Sequence, residues 1–193
     1  MSTTTIRRIL TSMMGSLLLA MGLVAGPGIL GSAVAGASPY CGITWGSLDK
    51  SWQHYSSGTV SNVRSGRHAC FDRLVVDVAG PVAGYNVRYV DVVRAEGSGF
   101  EVPLRGGARL QVAVHAPAYN AQGEPTYRPA DRSELVNVWG YNTFRQVAFA
   151  GTFEGQTSLG IGVRARLPYR VFTLEGPGTS SRVVIDVAHY WQQ

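Results

Sequence analysis

The sequence is poor in charge, and almost without lysine. Only 15% of its 193 residues are charged, and of 17 basic residues Lys50 alone is lysine. The formal net charge of +5 is therefore almost all guanidinium. Beyond Arg7-Arg8 no two basic residues adjoin, and no basic patch is interleaved with aromatics, which argues against nucleic acid as a partner. No segment after the first 37 residues sustains a 3.6-residue period, which excludes a helical bundle. The four histidines, His54, His68, His115 and His189, lack metal-ligand spacing, and H-E-x-x-H is absent. G-x-S-x-G is absent too. No metal, no cofactor and no catalytic residue is expected.

What is abundant is glycine, 24 residues, with 9 prolines, a composition suited to short strands joined by tight turns. Arg7 and Arg8 precede an apolar stretch from Ile9 to Val34, followed by the cleavage patterns Ala33-Val34-Ala35 and Ala35-Gly36-Ala37. This outlines a secretory signal peptide over 1–37 and a domain over 38–193. The stretch is also long enough to span a bilayer if left uncleaved, the only route to a membrane contact. Arg7-Arg8 matches a twin-arginine signal only loosely, so the export route stays open.

In an exported chain two cysteines, Cys41 and Cys70, most simply form one disulfide. Closing a loop of about 30 residues stabilises by roughly 3.5 kcal/mol in the chain-entropy picture. The segment Tyr40 to His68 is polar, with Trp45 and Trp52 as anchors, and reads as an irregular, disulfide-tethered lead-in.

Strands are expected at Phe71 to Ala79, Tyr85 to Arg94, Arg109 to His115, Thr143 to Ala150, Ser158 to Leu167, Arg170 to Leu174 and Arg182 to Trp191. A long Pro-containing loop spans Ala116 to Arg132, and Asp131 with Glu134 suggests one short helical turn. The architecture is all-β, a β-sandwich of about eight short strands. RLVVDVAG, Arg73 to Gly80, is echoed by RVVIDVAH, Arg182 to His189. The echo reads either as two similar core strands or as equivalent halves of a two-fold-like sandwich. Antiparallel neighbours in register about Val75 and Val184 would set Arg73 opposite Asp186 and Asp77 opposite Arg182, two cross-strand ion pairs.

Ser158 to Leu167 alternates without a miss. Leu159, Ile161 and Val163 face inward, while Gly160 and Gly162 strip the other face of side chains. Such a stripe means a bent strand, a loop packed flat on it, or a shallow groove. In the groove reading Arg164 and Arg166 at its end bind carboxylates. The loops supply further ligand-binding candidates in Tyr119, Asn120 and Tyr127, with Trp139, Tyr141 and Asn142 as either sugar platforms or packing. Asp72 beside His68 forms a conceivable acid–base pair, and Phe153-Glu154-Gly155 reads as a hairpin turn or as the place for a lone carboxylate.

The Arg-Asp strands, the GRHACFDR lead-in from Gly66 to Arg73, the stretch from Gly151 to Phe172 and the closing SRVVIDVAHYW together resemble the AMIN-like family of exported actinobacterial proteins. The family takes its name from the AMIN domain, a small β-sandwich that targets cell-wall amidases and secretin pores by binding peptidoglycan. This sequence carries neither of those parts. The resemblance implies a secreted, non-catalytic cell-envelope module with peptidoglycan or a cell-wall protein as partner. A cell-wall hydrolase and a subunit recruited by strand addition are the competing classes.

Overall fold

A computed structural model describes residues 40–191 of the chain. The signal segment therefore lies outside the described residues. Alternating apolar side chains build strands β1 (Lys50–Trp52), β2 (Thr59–Arg67), β3 (Phe71–Ala79), β4 (Tyr85–Val90), β5 (Ala108–Val114), β6 (Phe144–Phe153), β7 (Gln156–Val163), β8 (Tyr169–Glu175) and β9 (Ser181–Ala188). They form two antiparallel sheets, ordered β1-β4-β5-β7-β6 and β2-β3-β9-β8. The inward residues of both, among them Leu74, Val76, Ile185, Leu110, Leu159 and Ile161, meet in one buried cluster. The sandwich expected from alternation is there, with nine strands among the described residues.

Tyrosines tie the layers together. The Tyr169 hydroxyl on β8 donates to the Val87 carbonyl of β4 at 2.7 Å, and Tyr85 on β4 donates to the Val171 carbonyl of β8 at 3.2 Å. Cys41 and Cys70 form the expected disulfide, with Cα atoms 6.2 Å apart. The lead-in is more regular than expected, since it contains β1 and β2. In β2 the buried valines are Val60 and Val63, three residues apart, because a bulge lies between Val60 and Asn62. A bulge hides a strand from a search for strict alternation. Several expected strands are shorter: β4 ends at Val90, β7 at Val163 and β9 at Ala188. Asp131 starts no helical turn, as its Oδ1 instead accepts the Ser133 amide at 2.7 Å in a local turn.

β3 and β9 pair in the expected register, with Val75 opposite Val184, Arg73 opposite Asp186 and Asp77 opposite Arg182. One of the two ion pairs forms. Asp186, fully buried, receives Arg73 Nε at 2.6 Å and Nη2 at 2.9 Å, and Arg170 Nε from β8 at 2.8 Å. The Arg170 guanidinium also lies over Trp45, 4.4 Å from the ring centre. Asp77 faces Arg182 but is held by Arg64 of β2, at 2.8 and 3.0 Å, while Arg182 Nη2 turns to the Glu175 carbonyl. Each carboxylate has a strand on either side, and the bidentate fork from β2 wins at Asp77.

Two outcomes follow from these contacts. Asp186→Ala should destabilise by about 2–4 kcal/mol, less than a fully buried pair would lose because both guanidiniums reach water. Asp77→Ala, at a solvent-facing pair, should lose less than about 1 kcal/mol. Urea denaturation of the two variants checks this, and an equal loss would contradict it. Burial also pushes the Tyr89 hydroxyl from 10.0 up to about 12. The fold favours its protonated form, so stability is complete below about pH 10 and falls as pH rises toward about 12. A Tyr89→Phe chain, measured by denaturation at stepped alkaline pH, should lose stability less steeply over that window.

Candidate functional site

The glycine stripe of β7 is not an open groove. A Cβ at Gly160 would lie 2.6 Å from Leu104 Cδ1, and one at Gly162 only 1.9 Å from the Arg105 carbonyl oxygen. The segment joining β4 to β5 lies flat on this face, and Val93 and Leu104 form a second small core there with Ala148 and Ala150. The third explanation of the stripe, a groove with a backbone floor, is therefore replaced by the second. Arg164 and Arg166 follow the end of β7 and meet protein. Arg164 Nη2 donates to the His189 carbonyl and the guanidinium lies over Tyr190. Arg166 donates to Ser47 Oγ and O, at 3.1 and 3.0 Å, fastening the lead-in. Phe153-Glu154-Gly155 is the β6–β7 hairpin turn, with positive φ at Glu154 and Gly155.

The other candidates sit at the opposite end of β7. Tyr119 and Tyr127 line a cleft of about 510 Å³ between the 118–132 loop and β6, together with Phe149, Arg128, Arg132 and Glu96. The loop is held at many points. Ala118 N donates to Thr152 Oγ1, Thr126 N to the Ala118 carbonyl, and Thr126 Oγ1 to the Val60 carbonyl at 2.7 Å. The Tyr119 hydroxyl accepts the Gly155 amide. Asn120 shapes the turn, its Oδ1 accepting the amides of Gln122 and Glu124 at 3.0 and 2.9 Å. Burial raises the Tyr127 hydroxyl above its ordinary value, so it stays a neutral donor.

A second concavity, of about 350 Å³, lies at the start of β6, lined by Trp139, Tyr141, Arg145, Arg105 and Glu134. Trp139 is 91% exposed. Tyr141 is half-buried, stacked on Phe144 and bonded to Ser65, so it combines packing with lining. Arg105 comes from the segment that covers the glycines and pairs with Glu134 at 2.5 Å. Backbone contacts from 132–135, Leu135 N to the Val147 carbonyl and Phe149 N to the Arg132 carbonyl, run this chain beside β6. Both concavities are thus built against one edge strand.

Beneath the Trp139 loop lies a buried polar network. Asp72 Oδ2 accepts the amides of Thr143 and Phe144 at 2.6 and 3.0 Å, and its Oδ1 lies 3.1 Å from His189 Nε2. His189 Nδ1 meets the Asn142 amide at 3.3 Å. The partner of Asp72 is thus His189 and not His68, which stacks on Phe71 instead. His115, like His189, is buried rather than at the surface. Asp72 and His189 are fully enclosed, so they brace structure and reach no substrate. Among the described residues no group of three or more His, Cys, Asp or Glu is placed to hold a metal ion.

The sequence profile of the AMIN-like domain matches residues 58–189, from just before β2 to the histidine that meets Asp72. The chain belongs to the AMIN-like domain family. The match spans most of the chain, and the family suggests a peptidoglycan-associated module of the cell envelope. No curated protein matches the chain. The AMIN-like region takes in β2 to β9 with both concavities, and leaves out β1 and Cys41. No helix of the described residues is long and apolar enough to cross a membrane.

The covered stripe gives a direct test. Gly162→Ala, whose methyl would strike backbone, should destabilise by about 1–3 kcal/mol or prevent folding, and Gly160→Ala should lose less because the Leu104 side chain yields. Thermal melts of both variants check the order.

Proposed function

We propose that this chain is a secreted, non-catalytic envelope module that binds the glycan of peptidoglycan, with Trp139 as its stacking platform. The observation that carries the reading is a tryptophan 91% exposed on a loop tied down by several hydrogen bonds. Asn137 Oδ1 accepts the Trp139 amide at 2.9 Å, Tyr141 N donates to the Val138 carbonyl, and Arg67 Nη1 donates to the Gly140 carbonyl. Arg145 donates to the carbonyls of Tyr141 and Asn142. A tryptophan left in water forgoes roughly 4–6 kcal/mol of burial. A rigid loop that presents it at that loss is organised for a partner.

The chemistry beside it suits a sugar. An aromatic plate takes the C–H face of a pyranose, while the Arg105 and Arg145 guanidiniums and Glu134 stand at its edge to take hydroxyls. Cleavage of that sugar needs two carboxyl groups placed across the bond. Glu134 is the one carboxylate lining this cavity, so the second is missing there. Binding without hydrolysis is the better match.

Sedimentation with purified sacculi tests the reading. The wild-type chain should co-sediment, and Trp139→Ala should lose at least about tenfold in binding with its thermal midpoint within about 2 °C, as an exposed side chain supports little stability. Binding by Trp139→Ala at the wild-type level would remove Trp139 from the site. Clearing of a sacculus suspension by the wild-type chain would contradict a non-catalytic role.

A further inference from the structure

We propose that the cleft between the 118–132 loop and β6 is a separate site for a peptide that ends in a free carboxylate. This goes beyond the glycan reading and does not depend on it, because the ligand contains no sugar and the site is not the Trp139 cavity.

The first argument is charge. Arg64, Arg73, Arg105 and Arg170 each have a carboxylate partner. Arg128 and Arg132, both lining the cleft, have none among the described residues. The one acid on the wall, Glu96, accepts Ser158 Oγ at 2.5 Å and keeps its charge, so the two guanidiniums leave the wall one positive charge in excess. The cleft is therefore cationic. The Arg132 guanidinium lies 4.9 Å over the Phe149 ring, which fixes its plane and leaves its edges for an oxyanion.

The second argument is shape and polarity. Tyr119, Tyr127 and Phe149 give an apolar wall, and the volume of about 510 Å³ lies within the range of small-ligand sites. A bare anion would leave that wall unused. A short peptide suits it better, with small side chains against the rings, amides toward the tyrosine hydroxyls and the terminal carboxylate between the guanidiniums. Arg128 and Arg132 lie four residues apart on one loop and both line the cleft, while Asp131 between them is not part of its wall. The loop is tied at Ala118, Tyr119 and Thr126, so little conformational entropy is lost on binding.

The test titrates the purified full chain with N-acetyl-alanyl-alanine, with its C-terminal amide and with inorganic phosphate, followed by calorimetry and by amide NMR shifts. The acid should bind at least about tenfold more tightly than the amide and shift residues of the 118–132 loop. Arg128→Gln and Arg132→Gln should each weaken the acid several-fold, and the double variant should abolish saturation. Trp139→Ala should bind the dipeptide as wild type does. Equal affinity for acid and amide, no saturation by the acid, or undiminished binding by a folded double variant would each overturn the proposal. Phosphate that displaces the acid at equal concentration would overturn the carboxylate assignment in favour of a phosphate site. Should the double variant fail to fold, the acid and amide compared on the wild-type chain still decide.

Discussion

One buried carboxylate sets much of the rest. Asp72 has no exposure, and a charge in a protein core is tolerated only when its hydrogen-bonding capacity is filled. The partners that fill it come from far along the chain: the amides of Thr143 and Phe144, and the ring of His189, 117 residues away. Asp72 lies on β3, His189 just beyond β9, and Phe144 opens β6 in the other sheet. The carboxylate therefore fixes where β6 begins relative to the opposite layer. Through His189 and Asn142 it also braces the loop that carries Trp139. The position of the indole is a consequence of an interaction in the core.

How far the sequence could be read depended on whether the information was local. Period-two alternation located β3, β5 and β9 and their inward faces, because each strand carries its own pattern. The repeated Arg-x-x-x-Asp spacing yielded the β3–β9 register, since two copies of one pattern have a single antiparallel match. Which arginine then holds Asp77 depends on β2, a strand concealed by its own bulge. Likewise the alternation of β7 showed where side chains are missing, but not that Leu104 and Arg105, more than fifty residues earlier, fill the space.

The ligand-binding candidates divide along the same line. Tyr119 and Tyr127 stand out as aromatics in a Pro-containing loop, and they share a cleft. Asn120 belongs to the same loop but shapes its turn. Arg128 and Arg132 lie four residues apart on that loop, but Asp131 between them masks the local charge, so the sequence alone does not mark them. The Asp72–His189 pair had no local signal, and the nearer His68 was the natural partner on sequence distance alone.

The pairing of residues 132–135 along β6 has a further consequence. It holds the Trp139 cavity, at Phe144, and the arginine-lined cleft, at Phe149, against one rigid strand, five residues or roughly 16 Å apart. If both concavities are occupied as proposed, their occupants are not independent when a single molecule can reach both. For a ligand shorter than that spacing the sites act separately, whereas for a longer polymer the first contact raises the effective concentration of the second. Under both proposals such a strand would work as a ruler, favouring intact chains over the fragments released when they are cut.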